Sequence, residues 1–151
     1  MKKKTMHLFS WGVTIFAVLC GLAAFCMIFV ASIKTPYYLQ ESFTGLQVAM
    51  GCSINDHTIF NASAGLILAY LFPLIAACVA VIGKGNKLTP LIAGALMVTG
   101  GALALSTLSL LNPTVYFITL TDPTLAAGPI ASGVLSLIGG VTLFGSAFLK
   151  N

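Results

Sequence analysis

Few side chains in this sequence can exchange a proton, bind a metal or attack a substrate. Cys52, Asp56 and His57 crowd into one short segment, with Glu41 upstream. Thiolate, carboxylate and imidazole all ligate zinc, and Cys52-x-x-x-Asp56-His57 is compact enough to supply two or three ligands. A closed site needs four, so Glu41 or Asp122 would have to fold in, and the spacing matches no established zinc pattern. These residues are read as solvated loop polars, with no metal and no cofactor expected. Cys20, Cys26 and Cys78 lie in apolar runs. No Cys-x-x-Cys occurs, and Cys20 and Cys26, six apart, do not share a helical face. They are read as buried apolar thiols. Ser106, Ser109, Ser132 and Ser136 have no base at their depth, and a serine nucleophile needs one. His7 stands beside Lys2, Lys3 and Lys4 and is read as facing lipid headgroups. Asn61-Ala-Ser63 fits a glycosylation sequon but abuts an apolar run.

The composition explains this poverty. Of 151 residues, 58% are hydrophobic and 7% charged, where a soluble domain carries about 25% charged. The mean hydropathy is +1.04. Such a chain is an integral membrane protein. Its basic residues are seven lysines and no arginine, a codon usage that points to an AT-rich bacterial genome. Bidentate phosphate recognition, mainly arginine chemistry, is thereby lost. No basic face offers itself to nucleic acid.

A spanning helix needs about 20 apolar residues. No Asp, Glu, Lys or Arg occurs in 5–33, 58–83, 88–121 or 123–149. The third stretch exceeds one crossing, and Asn112-Pro113 breaks it, since proline removes a backbone donor and disfavours helix before it. The expectation is an all-α membrane protein, a single domain over residues 1–151. Its four-transmembrane-helix bundle spans about 8–33, 63–83, 89–111 and 128–149. The first run is far longer than the roughly 7–15 residues of a signal h-region, so an uncleaved helix is expected. Lys2, Lys3, Lys4, Lys84, Lys87 and Lys150 then fall on one side, and Lys34, Glu41, Asp56 and Asp122 on the other. The positive-inside bias predicts a multi-pass protein of the plasma (cytoplasmic) membrane with both termini cytoplasmic.

Two outer loops follow, about 34–62 and 112–127. Thr114–Thr121 has strand propensity, and Phe43–Met50 reads as a strand or an interfacial helix. Pairing of the two loops predicts a small β or interfacial cap. Tyr37, Tyr38, Phe43, Tyr116 and Phe117 are its candidate outer-loop contacts. The layout of cytoplasmic ends, a longer first outer loop and a shorter second resembles tetraspan proteins of the claudin-like group. Within loop 1, Gly45-Leu46 followed by Cys52 is similar to the claudin Gly-Leu-Trp…Cys…Cys signature. Gln47 stands at the tryptophan position and the second cysteine is missing, so no loop disulfide can form. The chain also resembles small four-helix membrane proteins of Gram-positive bacteria. The resemblance covers architecture and implies no functional residue.

Within the spans the informative residues are small. Gly128, Ser132, Ser136 and Gly140 recur every four residues, as do Gly65, Ala69, Pro73 and Ala77. Such ridges let helix backbones approach, and these eight residues are the candidate helix-packing set. The segments around Ala64-Gly65 and Ala127-Gly128 are weakly similar at an offset of 63, which restricted composition can also produce. No Asp, Glu, Lys, Arg or His lies at the centre of any predicted span, where proton relays and ion pathways place them. The protein is therefore expected not to be an enzyme. The expected role is an accessory or assembly subunit acting through protein–protein contacts. Its expected partners are the lipid bilayer and a membrane protein or a second copy. The alternative is a channel or carrier for a neutral or apolar solute, lined by hydroxyls such as Thr99, Ser106, Thr107, Ser109, Ser132, Ser136 and Thr142, or a lipid- or quinone-binding subunit.

Overall fold

The computed structural model of the protein describes residues 2–35, 42–83, 86, 88–114 and 122–148. Four helices are long and apolar enough to cross a membrane, over Ser10–Phe29, Ala64–Ile82, Leu88–Leu105 and Ala127–Phe148. Helix is the form such segments must take in lipid, because each satisfies its own backbone hydrogen bonds. In chain order the elements begin with α1 (Lys2–Cys26), a 3-10 turn (Met27–Phe29), β1 (Ala31–Lys34) and β2 (Ser42–Thr44). Next come α2 (Gly45–Met50), β3 (Cys52–Ile54), β4 (His57–Phe60), α3 (Ala64–Ile82) and α4 (Leu88–Leu105). The chain continues with α5 (Thr107–Leu110), β5 (Thr124–Leu125) and α6 (Ala127–Phe148). The four long helices form a ring: α1 lies against α3 and α6, and α4 lies against the same two.

The first helix departs from expectation at both ends. It begins at Lys2, and its α-helical geometry stops at Cys26, with a 3-10 turn to Phe29, where the sequence predicts continuation to Ile33. Val30 is already extended (φ −89°, ψ 157°). The reason is tertiary. Ala31–Lys34 pairs antiparallel with both β2 and β5, with Ile33 opposite Phe43 and Leu125, and Ile33 becomes fully buried. Strand pairing and that burial outweigh continued helix. The third span also shortens. α4 ends at Leu105, and α5 continues after a turn at Ser106, reaching Leu110 just before Asn112-Pro113.

The two interhelical segments build one cap. The three-stranded sheet has the order β2-β1-β5, so the second segment completes a sheet begun by the first. β3 and β4 form a hairpin, whose second strand continues sideways. Phe60 bridges to Pro113, the Thr114 amide donates to the Ile59 carbonyl at 3.0 Å, and that of Asn61 to Asn112 at 2.9 Å. Of the expected strand Thr114–Thr121, residues 115–121 lie outside the described residues. Phe43–Met50 divides, Ser42–Thr44 joining the sheet and Gly45–Met50 forming α2.

Candidate functional site

The candidate surfaces are the small-residue ridges inside the bundle and the cap above it. On α6, Gly128 admits the backbone of the segment that follows α1: a Cβ there would stand 2.8 Å from the Ala31 carbonyl. Ser132, fully buried, donates its hydroxyl to the Ala24 carbonyl of α1 at 3.0 Å. Four residues on, Ser136 has turned to α4, its Cβ 3.1 Å from the Cβ position of Gly101. Gly140 completes the turn against the Gly94 carbonyl and Val98 of α4. The row drifts because four residues advance slightly more than one helical turn. One ridge thus serves two neighbours.

A reciprocal backbone contact between α4 and α6 adds three glycines outside that row, Gly94, Gly101 and Gly133, to Gly140 within it. Cβ positions of Gly101 and Gly133 lie 2.9 and 3.1 Å from each other's carbonyl oxygens, and those of Gly94 and Gly140 lie 3.1 and 3.0 Å from theirs. The glycines are seven apart in both helices, so two turns of α4 and α6 meet backbone to backbone. The signal was present in the sequence as Gly94-x6-Gly101 and Gly133-x6-Gly140.

On α3 the second row divides similarly. Ala69 is buried with Ile28, Tyr70 and Ala104. Pro73 sits between two glycines, its carbonyl 2.7 Å from the Cβ position of Gly21 and its ring 2.7 Å from that of Gly100. Ala77 also faces Gly21, whereas Gly65 meets Leu110 of α5. Met97, fully buried, enters the centre, its sulfur 2.8 Å and methyl 2.6 Å from the Cβ positions of Gly139 and Gly21.

The cap has its own core of Ile33, Phe43, Val48, Ala49, Ile59, Phe60 and Leu66. Phe43 and Phe60 meet edge to face at 5.1 Å. Phe43, a candidate outer contact, is 2% exposed and holds the cap together, with no face left for a partner. Tyr37, Tyr38, Tyr116 and Phe117 lie outside the described residues. The exposed apolar residues of α2 are Leu46 and Met50, 42% and 62% exposed. They are four apart on one helical face, a spacing available in the sequence. Gln47 closes a capping box with Thr44: the Thr44 amide donates to its Oε1 at 3.0 Å and its own amide to Thr44 Oγ1 at 3.3 Å. The cap is tied down by Ser63, whose amide donates to Ala49 at 2.9 Å and whose hydroxyl donates to Leu110 at 2.8 Å. Beneath it the hydroxyls of Tyr70 and Ser32 are buried neighbours, neither with a well-formed hydrogen bond.

Asp56 and His57 stand exposed at the β3–β4 turn. Cys52 is partly exposed, and all four cysteines are free. Among the described residues no three His, Cys, Asp or Glu side chains gather where they could hold one metal ion. Glu41 lies outside them.

Comparison with family models, curated proteins and solved structures finds no match to this chain.

Proposed function

We propose that the protein is a non-enzymatic accessory or assembly subunit of the bacterial plasma membrane, held with both termini in the cytoplasm, that acts through protein contacts made by its outer cap. The supporting observation is the cap itself. The segments between the spans carry their own apolar core, a sheet shared between both and a hydrogen-bonded attachment to the bundle. Such a platform presents a fixed surface, and on α2 that surface includes the apolar pair Leu46 and Met50. The tetraspan, claudin-like layout belongs to the same reading. Orientation rests on the lysines, six of which lie at the end away from the cap by connectivity.

A channel for a neutral solute would use the hydroxyls within the spans. Ser132 and Ser136 are instead fully buried in helix contacts, and Thr99, Ser132 and Thr142 donate to helix carbonyls. This weighs toward contact and away from conduction.

The test compares two variants in a strain where deletion has a phenotype. Leu46→Glu with Met50→Glu should abolish both rescue and recovery of the protein's membrane partner, with the unfolding temperature unchanged. Glu41→Gln, Asp56→Asn, His57→Gln should rescue fully. Loss of rescue in the second variant, with partner recovery intact, would place chemistry in loop 1 and end the contact reading.

A further inference from the structure

We propose that the groove between α1 and α6 at the lysine-rich end binds an anionic phospholipid, with an acyl chain along Gly12, Val13, Phe16 and Thr142 and the headgroup at the level of Lys2, Lys3 and Lys4. The groove has a volume of about 260 Å³ and is lined by those four span residues. Its lining is apolar apart from the Thr142 hydroxyl, which is spent on the Gly139 carbonyl at 2.8 Å. It therefore offers an alkyl chain dispersion and offers a polar solute nothing.

Gly12 makes the groove. Every other glycine of the four long helices except Gly145 has a neighbour within 4 Å of its Cβ position. Those glycines are explained by helix contact. Gly12 has nothing within 4 Å, yet a glycine inside a helix is less favourable than alanine. Its missing side chain leaves space at the seam that the protein itself does not fill.

Charge selects the occupant. α1 continues beyond its span as helix to Lys2. Lys4 stands six residues outward from Ser10, where the span begins, or about 9 Å at the helical rise. That places the backbone of the lysine cluster at the depth of the phosphate layer. Lys84, Lys87 and Lys150 belong to the same end, and all three carboxylates of Glu41, Asp56 and Asp122 to the other. A second copy seated seam to seam would set lysine cluster against lysine cluster. A zwitterionic lipid gains little from them, whereas an anionic headgroup gains a favourable contact with each lysine near the surface.

The full chain, purified in neutral detergent, is titrated with dioleoyl phosphatidylglycerol and separately with dioleoyl phosphatidylcholine, reading bound lipid by native mass spectrometry and the unfolding temperature. Phosphatidylglycerol should bind at one site and raise the unfolding temperature; phosphatidylcholine should do neither. Gly12→Leu should keep the lipid-free unfolding temperature, since its side chain enters open space, and should lose the phosphatidylglycerol effect. Gly145→Leu, equally open but outside the groove, should retain it. Lys2→Gln, Lys3→Gln, Lys4→Gln should weaken binding by about fivefold per lysine, and that result decides the matter if Gly12→Leu fails to fold. Equal binding of the two lipids, or undiminished phosphatidylglycerol binding by folded Gly12→Leu or by the triple lysine variant, overturns the proposal. So does a wild-type dimer that Gly12→Leu converts to monomer, which would make a second copy the occupant.

Discussion

Two serines one turn apart on α6 show how little the residue type decides. Ser132 donates to the Ala24 carbonyl at 3.0 Å, while the Ser136 hydroxyl is equally buried and has no partner among the described residues. Ser132→Ala should cost about 0.5–1.5 kcal/mol. Ser136→Ala should be neutral or stabilising, because it removes a buried polar group that makes no bond. Unfolding in detergent by denaturant titration reads both, and equal losses would contradict the geometry. Glycines divide in the same way. Gly101→Ala places a methyl 2.9 Å from the Gly133 carbonyl, a backbone atom that cannot swing aside, and should cost about 1–3 kcal/mol. Gly145→Ala meets nothing within 4 Å and should leave stability unchanged or raised. The row Gly128, Ser132, Ser136 and Gly140 stands out in the sequence as a candidate ridge, because small residues in a membrane helix have few other uses. That the row serves two neighbours was not legible, since it depends on where α1 and α4 stand around α6. Phe43, expected at the outer surface, is buried in the cap, and the sequence hides this for a related reason. An aromatic residue in a β-prone segment fits a buried core as well as an exposed contact until its facing strand is known.

Elements were legible where length decided and illegible where partners did. The spans follow from uncharged runs, which only helices can carry through lipid. The end of α1 does not. Val30–Ile33 is uncharged whether helical or extended, and the choice is made by Phe43 and by Leu125, far along the chain. The hairpin left a trace in the sequence: Asn55-Asp56 separates two short β-prone runs and takes positive φ at both residues, 49° and 62°. Asn and Asp tolerate that region better than other side chains, and glycine better still. Asp56→Gly should therefore stabilise the hairpin slightly, seen as slower amide exchange across β3 and β4. The capping box of α2 provides the opposite test. α2 has six residues, too few to be stable alone, so its cap matters more than on a long helix. Thr44→Ala removes the acceptor for the Gln47 amide and should cost about 1 kcal/mol. Its signature is faster exchange confined to α2, with α3 and α4 unchanged. Uniform acceleration through the long helices would mean that α2 is an integral part of the bundle instead of a separately stabilised piece of the cap.

At the scale of the molecule, the cap lies at the end opposite Lys2, Lys3 and Lys4, where α1 begins, and this asymmetry fixes a prediction about orientation. α1 begins at the end that also carries the α3–α4 link and the end of α6, while β1 through β4 and β5 gather at the other. By chain order alone, six of seven lysines go with the first end, and Lys34, Glu41, Asp56 and Asp122 with the second. Short loops rich in lysine are retained in the cytoplasm during insertion, so the cap should face outward. Cysteine chemistry reads this directly. Cys20, Cys26 and Cys78 all lie in membrane-spanning helices, where a thiol has no water to ionise into, and thiolate is the reactive form. Cys52 is partly exposed on the cap. A variant with Cys52 alone, the other three replaced by alanine, should react with a membrane-impermeant maleimide in intact cells. Asn86→Cys in a background lacking Cys52 should react only after the membrane is opened, because Asn86 is exposed in the α3–α4 link. The reverse pattern would put the cap in the cytoplasm and the lysines outside. It would also withdraw the outer contact surface proposed for α2, because Leu46 and Met50 would then meet only cytoplasmic partners.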